Sequence, residues 1–461
     1  MDNQLQQLQD SSDWKGKRLT VVGAGVSGRE LALLAARIGA RVFVTEQKGV
    51  SAEVAELFSR NGIAWEENGH TERAFEADAM LLSSGIPPTS EVVLSARKRG
   101  TPLIGELDFV IPQLRGKLIG VTGSNGKSTV TALIGHMLNA AHRNVAVGGN
   151  LGRAASVFAG REFDAVVLEL SSFQLEWAHT LSSCVSIVTN LAPDHLNWHG
   201  SYEAYVAAKA KILSLRASSG WGIVQDRDVE ALKAEGEERV ITLSWEERPE
   251  HEMAGHIFMG EEGATLRLKG EQAPLFRYSE TTLLGGHNLE NVAMSMAALR
   301  LLGLEEDAAT LLKGFFPLPH RCERAGVVDG VLYVDDSKGT NIAASVTAMT
   351  ALPGRKVVIL GGRGKGEDYA ELAKGVLREA DAAVLLGEER DAIAAALKGA
   401  GFTAVTLAQD MEDAVGKARA LARPGMTVLL SPACTSWDMY ENYGQRGDHF
   451  CSIVRGLQEP N

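Results

Sequence analysis

The stretch Gly120 to Thr129, GVTGSNGKST, stands between an apolar run and an apolar, helix-like one, and its residue types suit a nucleotide phosphate. Gly123 and Gly126 let backbone N–H groups close around phosphate oxygens. Lys127 offers a cation for β/γ charge, and the Ser128 hydroxyl suits Mg2+. The strict G-x-x-x-x-G-K-[ST] pattern fails at its first glycine, where Val121 stands. A chance G-K-S in a loop is the bland alternative; the strand-like run before it and the helix-like run after it favour a nucleotide site. Glu169 ends the apolar run Val166-Val167-Leu168. A carboxylate there, beside a phosphate loop, is placed for Mg2+ or, more plainly, for solvent or a helix cap. Asp194-His195 follow the strand-like run Val185 to Thr189. His195 stands in a polar loop, where a neutral imidazole serves as a metal ligand or does nothing.

Lys209 is the oddest of these residues. The spacing Tyr202, Val206, Lys209, Leu213 traces one helical face, with the lysine mid-stripe among apolar residues. A buried ammonium is costly unless it is paired or loses its charge. The alternative is a stem that packs and a head that reaches water. Near the N-terminus, Gly23-x-Gly25-x-x-Gly28 sits between a strand-like and a helix-like run, with Glu46 at the end of the next strand. That is the layout of a dinucleotide site, or of a tight turn that needs small residues. Later clusters are His320-Arg321, Asp335 to Asn341, and the glycine-rich Gly361 to Gly366 with Arg363 and Lys365. The last suits an anionic ligand; loop solubility is the plain reading of each alone.

Elements must hold these groups. Strands are expected at Leu19 to Val22, Arg41 to Thr45 and Ala77 to Leu82, with a helix after the first, which implies a parallel sheet in a block ending near residue 104. A second block has strands at Lys117 to Thr122, Val145 to Val147, Asp164 to Glu169 and Val185 to Thr189, and a helix from Asn288 to Leu302. Residues 220–270 alternate short strands with charged loops. A third block, opening near Leu318, has strands at Val331 to Val334, Lys356 to Leu360, Ala382 to Leu386 and Met426 to Leu430 between alanine-rich helices, an α/β pattern again.

The bulk numbers agree with several soluble domains: 461 residues, 45% hydrophobic and 23% charged. With 46 basic and 58 acidic side chains the net charge is −12, which argues against nucleic-acid binding by bulk charge. Anionic ligands must then be held by local lysines, arginines, metals and helix N-termini. Four scattered cysteines show no C-x-x-C spacing, which fits a reducing compartment. The opening MDNQLQQLQDSSDWKGK has no apolar core, so no signal peptide is expected and residues 1–14 are expected to be loosely ordered. No apolar run approaches the ~20 residues that span a bilayer.

Together, GVTGSNGKST, Glu169 to Leu175 (ELSSFQL), Asn190 to Leu196 (NLAPDHL), His287-Asn288 and Asp336-Ser337-Lys338 resemble the Mur ligases, ATP-dependent amide-forming enzymes of peptidoglycan precursor synthesis. Leu430 to Asp438 (LSPACTSWD) with Tyr443 to Gly447 (YGQRG) resembles the members that add D-glutamate. The resemblance covers all three blocks. It implies an α/β fold of three domains: a Rossmann-like domain at 1–104 for the UDP substrate, a P-loop ATPase-like domain with a mostly parallel sheet at 105–317, and a Rossmann-like amino-acid domain at 318–461. The family's phosphate loop has the form T-G-x-x-G-K-[ST], so Val121 is no defect. Its carbamylated lysine falls on Lys209, where CO2 would turn a cation into an anionic metal ligand.

The resemblance further implies a cytoplasmic, monomeric ligase that joins UDP-N-acetylmuramoyl-L-alanine to D-glutamate using ATP and two Mg2+ ions, with Mn2+ able to substitute. Gly123, Ser124, Asn125, Gly126, Lys127, Ser128 and Thr129 would hold ATP phosphates, with Asn291, Arg321, Asp336 and Lys338 on the ATP side. Ser128 and Glu169 would hold one metal, His195 and Lys209 the other. Val26, Ser27, Gln47, Lys48, Ser84, Gly85, Asn150 and Ser171 would meet the UDP substrate. Thr340, Lys365, Ser436 and Tyr443 would meet D-glutamate; the family's usual residue at the last position is phenylalanine. A ligase for another amino acid, or a folylpolyglutamate synthase, fits the SPACTSWD and QRG runs less well. An NAD-dependent oxidoreductase using GAGVSG would leave Lys127, Glu169 and the third block without work, and a binding-only module would leave all the chemistry-bearing residues idle.

Overall fold

A computed structural model describes residues 14–150, 152–247, 254–283, 285–316 and 319–458. Most of the segment expected to be loosely ordered, and the expected boundary at 317/318, lie outside the described residues. Among those described, three sheets are built in chain order. The first holds β1 (Arg18–Val22), β2 (Arg41–Thr45), β3 (Ala64–Glu66), β4 (Ala79–Leu82) and β5 (Leu103–Gly105), in the order β3-β2-β1-β4-β5. All its pairings are parallel. The order reverses direction at β1 and β4, so the loops after Val22 and Leu82 open a crevice at the strands' C-terminal ends.

The second sheet contains β6 (Arg115–Thr122), β7 (Val145–Gly149), β8 (Glu162–Glu169), β9 (Val185–Val188), β10 (Trp221–Gln225), β11 (Val240–Ser244), β12 (Gly255–Met259), β13 (Gly263–Leu268) and β14 (Glu271–Arg277). Its order is β14-β13-β12-β11-β10-β9-β6-β8-β7. β6 lies between β8 and β9, all parallel, with Val121 opposite both Glu169 and Ile187. β13 and β14 form an antiparallel hairpin whose turn places Lys269 and Gly270 at positive φ, 53° and 79°. The third sheet holds β15 (Glu323–Val328), β16 (Val331–Asp335), β17 (Lys356–Gly361), β18 (Ala380–Leu386), β19 (Val405–Leu407) and β20 (Thr427–Leu430), in the order β15-β16-β20-β17-β18-β19. Alternation along β17 sends Val358 and Leu360 into one core and Val357 and Ile359 into the other, so helices cover both faces.

The chain forms two compact units. One comprises the described residues up to Leu191, Glu203–Thr281 and Val292–Lys313, and carries the first two sheets. The other comprises Ala192–Tyr202, Thr282–Asn291 and the described residues from Gly314, and carries the third. The expected strands are present, mostly within two residues of their anticipated ends. Short β3, β5 and β19, and the irregular antiparallel β15, lack the apolar runs that mark the others. All four cysteines are free thiols, and no helix of the described residues is long and apolar enough to cross a membrane.

Candidate active site

The phosphate loop leaves the C-terminal end of β6. Val121 is fully buried in that strand, and its carbonyl accepts from Leu170 N at 2.8 Å. The position that lacked a glycine is therefore core strand, and the loop begins at Gly123. Gly123 has φ +138°, and a Cβ there would fall 2.0 Å from Thr189 Oγ1, so only glycine fits. Gly126, at φ +84°, is the N-cap of the helix Lys127–Ala140. Neighbouring β9 supplies the scaffold: Ser124 N donates to Asn190 O at 2.8 Å, and Asn125 N to Asn190 Oδ1 at 3.0 Å. Lys127 Nζ donates to the carbonyls of Gly123 and Ser124 at 2.8 and 2.9 Å, and Ser128 and Thr129 are buried behind it. The arrangement is an anion cradle made of a helix N-terminus and one lysine.

Glu169 and Lys209 stand at the same strand ends. Glu169 is buried, and its Oε1 accepts from Asn150 Nδ2 at 2.7 Å. Lys209 is only 2% exposed, so its head does not reach water. Its Nζ donates to Gly123 O at 2.7 Å and to Thr122 Oγ1 at 3.5 Å, and lies 4.7 Å from the centre of the Tyr205 ring. Tyr205 in turn shares a 2.8 Å hydrogen bond with Ser124 Oγ. The helix Tyr202–Ser214 thus packs its lysine and its tyrosine onto the phosphate loop.

A cavity of about 370 Å3 opens at the crevice of the first sheet. Val26, Ser27, Ser84, Gly85 and Asn150 line it; Gln47, Lys48 and Ser171 do not. Ser171 instead caps the helix Ser172–Glu176 in a capping box with Gln174, and Gln174 lines the cavity. The glycines of GAGVSG are required sterically: a Cβ on Gly28 would sit 1.9 Å from Gly23 O. Glu46, placed as a ribose acid, accepts from Ala24 N at 2.6 Å and Lys48 N at 2.9 Å. Its carboxylate braces the loop from below, which weakens the dinucleotide reading. Glu106 and Gln174 are cavity residues that sequence reasoning missed; Gln174 stood in the quoted ELSSFQL run, whereas Glu106 carried no pattern at all.

The second unit gathers another cluster. Asp194 Oδ1 accepts from Lys365 Nζ at 2.7 Å, and its Oδ2 from Asn341 Nδ2 at 3.4 Å. His195 follows in the left-handed region at φ +53° and donates its backbone N–H to Asp194 Oδ1 at 2.9 Å. Arg363 does not turn inward with Lys365; it forms a two-point pair with Glu388 on the surface. Glu367, also missed from sequence, is pushed up to about 7 by burial. Asp336 is pushed up to about 7 by burial as well, although Ser431 Oγ donates to it at 2.6 Å and the Arg321 guanidinium opposes the shift. The same Arg321 charge, after burial, holds His287 below the ordinary imidazole range.

Asn291 is buried in this unit, and Lys338 Nζ stands 3.7 Å from the centre of the Tyr443 ring. Thr340 N donates to Lys338 O at 2.8 Å, and Ser436 is buried. Arg446, from the quoted QRG run, clamps these loops. Its Nε donates to Ser337 Oγ at 2.9 Å and its Nη1 to Cys434 O at 3.2 Å, while Ser337 Oγ donates to Tyr443 O at 2.8 Å. Burial pulls its guanidinium down to about 10.

Three family models match successive stretches: MurD N-terminal domain at residues 18–92, Mur ligase middle domain at 121–299, and Mur ligase, glutamate ligase domain at 320–434. They define a Mur-type ligase assembled from three parts. A UDP-N-acetylmuramoylalanine--D-glutamate ligase of Pelotomaculum thermopropionicum is 36% identical over 455 residues, spanning 97% of this chain and 99% of the relative. A ligase of the same name from Salinibacter ruber is 37% identical, over 95% of this chain and 98% of its own length. The chain belongs to the Mur ligase family, in the branch of the UDP-N-acetylmuramoylalanine--D-glutamate ligases. The crystal structure of a UDP-N-acetylmuramate-alanine ligase from Thermotoga maritima superposes with a TM-score of 0.59 at 17% identity, covering 96% of this chain and all of that one, a likeness of fold.

Proposed function

We propose that the chain joins UDP-N-acetylmuramoyl-L-alanine to D-glutamate with ATP, through an acyl phosphate, in peptidoglycan precursor synthesis. The observation that carries this reading is the meeting of phosphate loop, Glu169 and buried Lys209 at the C-terminal ends of β6 and β8, in a chain of that ligase branch. The alanyl carboxylate attacks the γ-phosphate, ADP departs, and the D-glutamate amine then displaces phosphate from the acyl carbon. A carboxylate approaching a triphosphate meets strong repulsion, so neutralising charge is the main task. Lys127 and the loop amides serve the β/γ-phosphates. Asn291, Arg321, Asp336 and Lys338 are assigned to ATP as well.

The donor set fits Mg2+: a buried carboxylate and a hydroxyl, both hard oxygens, at Glu169 and Ser128. His195 and Lys209 are the residues for a second ion. Bound Mg2+, or Mn2+ in its place, would supply positive charge against the phosphate oxygens. Lys209 suits carbamylation because it is buried: its neutral amine adds to CO2, releases one proton, and exchanges a costly cation for a metal-binding anion. Lys365, Thr340, Ser436 and Tyr443 serve D-glutamate, and the cavity beside Ser27 and Asn150 serves the UDP substrate. We further infer functional blocks at 1–104, 105–317 and 318–461, and a monomer working in the cytoplasm, where its UDP-activated substrate and four free thiols belong. The test is phosphate release from ATP with UDP-N-acetylmuramoyl-L-alanine and a panel of amino acids. D-glutamate should support it; release with L-lysine or L-alanine but not D-glutamate would overturn the reading.

A further inference from the structure

Glu106 is an unexpected neighbour for a pyrophosphate. It lines the cavity of the first sheet, is 4% exposed, and lies beside the N-terminus of the helix Val26–Arg37, whose Gly25, Val26, Ser27 and Gly28 line the same wall. That helix end favours an anion; an ionised carboxylate beside it would repel one. Two polar side chains face the carboxyl. Ser27 Oγ donates to Glu106 Oε2 at 2.5 Å, and the Gln174 side chain, whose Oε1 accepts from Ser171 N at 3.0 Å, lines the same cavity and favours the ionised carboxyl. The charged groups nearby are turned elsewhere. Asp108, on the short helix Glu106–Val110, accepts from His179 and Thr180; Arg37 donates to the carbonyls of Ser156 and Ala159; Glu169 accepts from Asn150 Nδ2. Burial therefore dominates and pushes the carboxyl up, against the hydrogen bonds from Ser27 and Gln174.

We propose that Glu106 is a positioning residue that sets the hydrogen-bond polarity of Ser27, so that the cavity takes a nucleoside diphosphate sugar best when Glu106 is protonated. When Glu106 is ionised, the Ser27 hydroxyl hydrogen points at the carboxylate, and Ser27 presents lone pairs to the ligand. When it is protonated, Glu106 donates to Ser27 Oγ, and the Ser27 hydrogen turns to a phosphate oxygen. One proton thereby converts two groups from hostile to favourable. Binding should carry proton uptake, and affinity should fall as pH rises, by linkage at most about tenfold per pH unit for one proton.

The inference rests on the cavity being the UDP-substrate site, and the experiment separates the two. Calorimetry of the full chain with UDP-N-acetylmuramoyl-L-alanine, in buffers of differing ionisation enthalpy between about pH 6 and 9, should show proton uptake and weakening affinity. Uridine, which lacks the pyrophosphate, should show neither. Glu106→Gln, an amide that always donates to Ser27, should bind with little pH dependence and no uptake, and its effect in turnover should fall on KM for the UDP substrate. Ser27→Ala, which removes the hydroxyl and keeps the buried acid, should lessen the pH slope without abolishing it, since the ionised carboxylate still repels the ligand, and should bind more weakly at low pH. Retention of the full pH slope in either variant would overturn the role of Glu106 alone. Failure of the UDP substrate to bind at any pH would overturn the cavity assignment with it.

Discussion

Lys209→Met should separate folding from chemistry. Lys209 is 2% exposed, and its Nζ donates to Gly123 O and to Thr122 Oγ1. Neither is orphaned by the substitution: Gly123 O still accepts from Lys127 Nζ at 2.8 Å, and Thr122 Oγ1 still donates to Leu170 O at 2.8 Å. Methionine keeps the volume of the stem and its packing on the Tyr205 ring, and it removes a buried charge. By comparison with buried ionic groups replaced by apolar ones, stability should be unchanged or higher by about 1–4 kcal/mol. Activity should move the other way, by on the order of a thousandfold in kcat, or about 4 kcal/mol of lost transition-state stabilisation. Thermal unfolding and phosphate release on the same preparation measure both. Lys209→Ala, which leaves room for a small anion, should regain part of its activity with a short carboxylic acid. A Met variant that is destabilised by several kcal/mol, or that keeps more than about a tenth of parental turnover, would show that Lys209 is a structural residue and would refute the argument.

Gly123→Ala should raise KM for ATP by tenfold or more, since its Cβ would lie 2.0 Å from Thr189 Oγ1 and φ +138° strains any side chain by roughly 1–3 kcal/mol; a normal KM in a folded variant would sink the loop's role. Lys365→Met should destabilise the second unit by about 3–5 kcal/mol, because the Asp194 carboxylate, 9% exposed, would lose the Lys365 cation 2.7 Å from it, and adding Asp194→Asn should recover most of the loss. A denaturant titration of both variants decides this, and equal instability of single and double variants would contradict it. Asp336 has a folded-state value of about 7, above its unfolded one, so the stability it contributes is present at low pH and is lost as pH rises towards and through 7. Asp336→Asn should remove that slope, up to about 1.4 kcal/mol per pH unit; melting curves that remain parallel to the parent's across the window would rule it out.

How much of this was legible follows from the range of each interaction. Local chemistry was readable: Gly126-Lys127-Ser128 between a strand and a helix, and the apolar runs of β6, β8 and β17, whose burial on both faces leaves continuous hydrophobic stretches. The misplacement of Lys209 on an apolar face was readable too, because helical period needs only a dozen residues. What periodicity could not give was the partner, since Lys209 meets Gly123 across 86 residues of sequence. The same limit hid Glu106, whose only advertisement is Ser27, 79 residues away. It also made Arg363 and Lys365 look alike in one glycine-rich loop, although one pairs with Glu388 on the surface and the other turns to Asp194. Short strands such as β3 and β5 carry too few residues for a pattern and form because the sheet beside them offers unpaired backbone.

The charge problem posed by a net −12 is solved locally in each unit. Around the phosphate loop and the first cavity, positive potential comes from the helix ends at Gly126 and Gly25 and from Lys127, devices whose reach is a few ångströms. The nearby acids are held in fixed places by neutral donors: Glu46 by Ala24 N, Glu169 by Asn150, and Glu106 by Ser27, with burial favouring the proton on Glu106. In the second unit Asp194 is matched by Lys365, and Asp336 is held by Ser431 and carries its proton up to about 7. Surface acids can then accumulate without weakening the sites, because screening by salt separates exposed charge from a buried pocket within about 8–10 Å. Solubility and anion binding, which bulk composition sets in opposition, are thereby assigned to different layers of the same molecule.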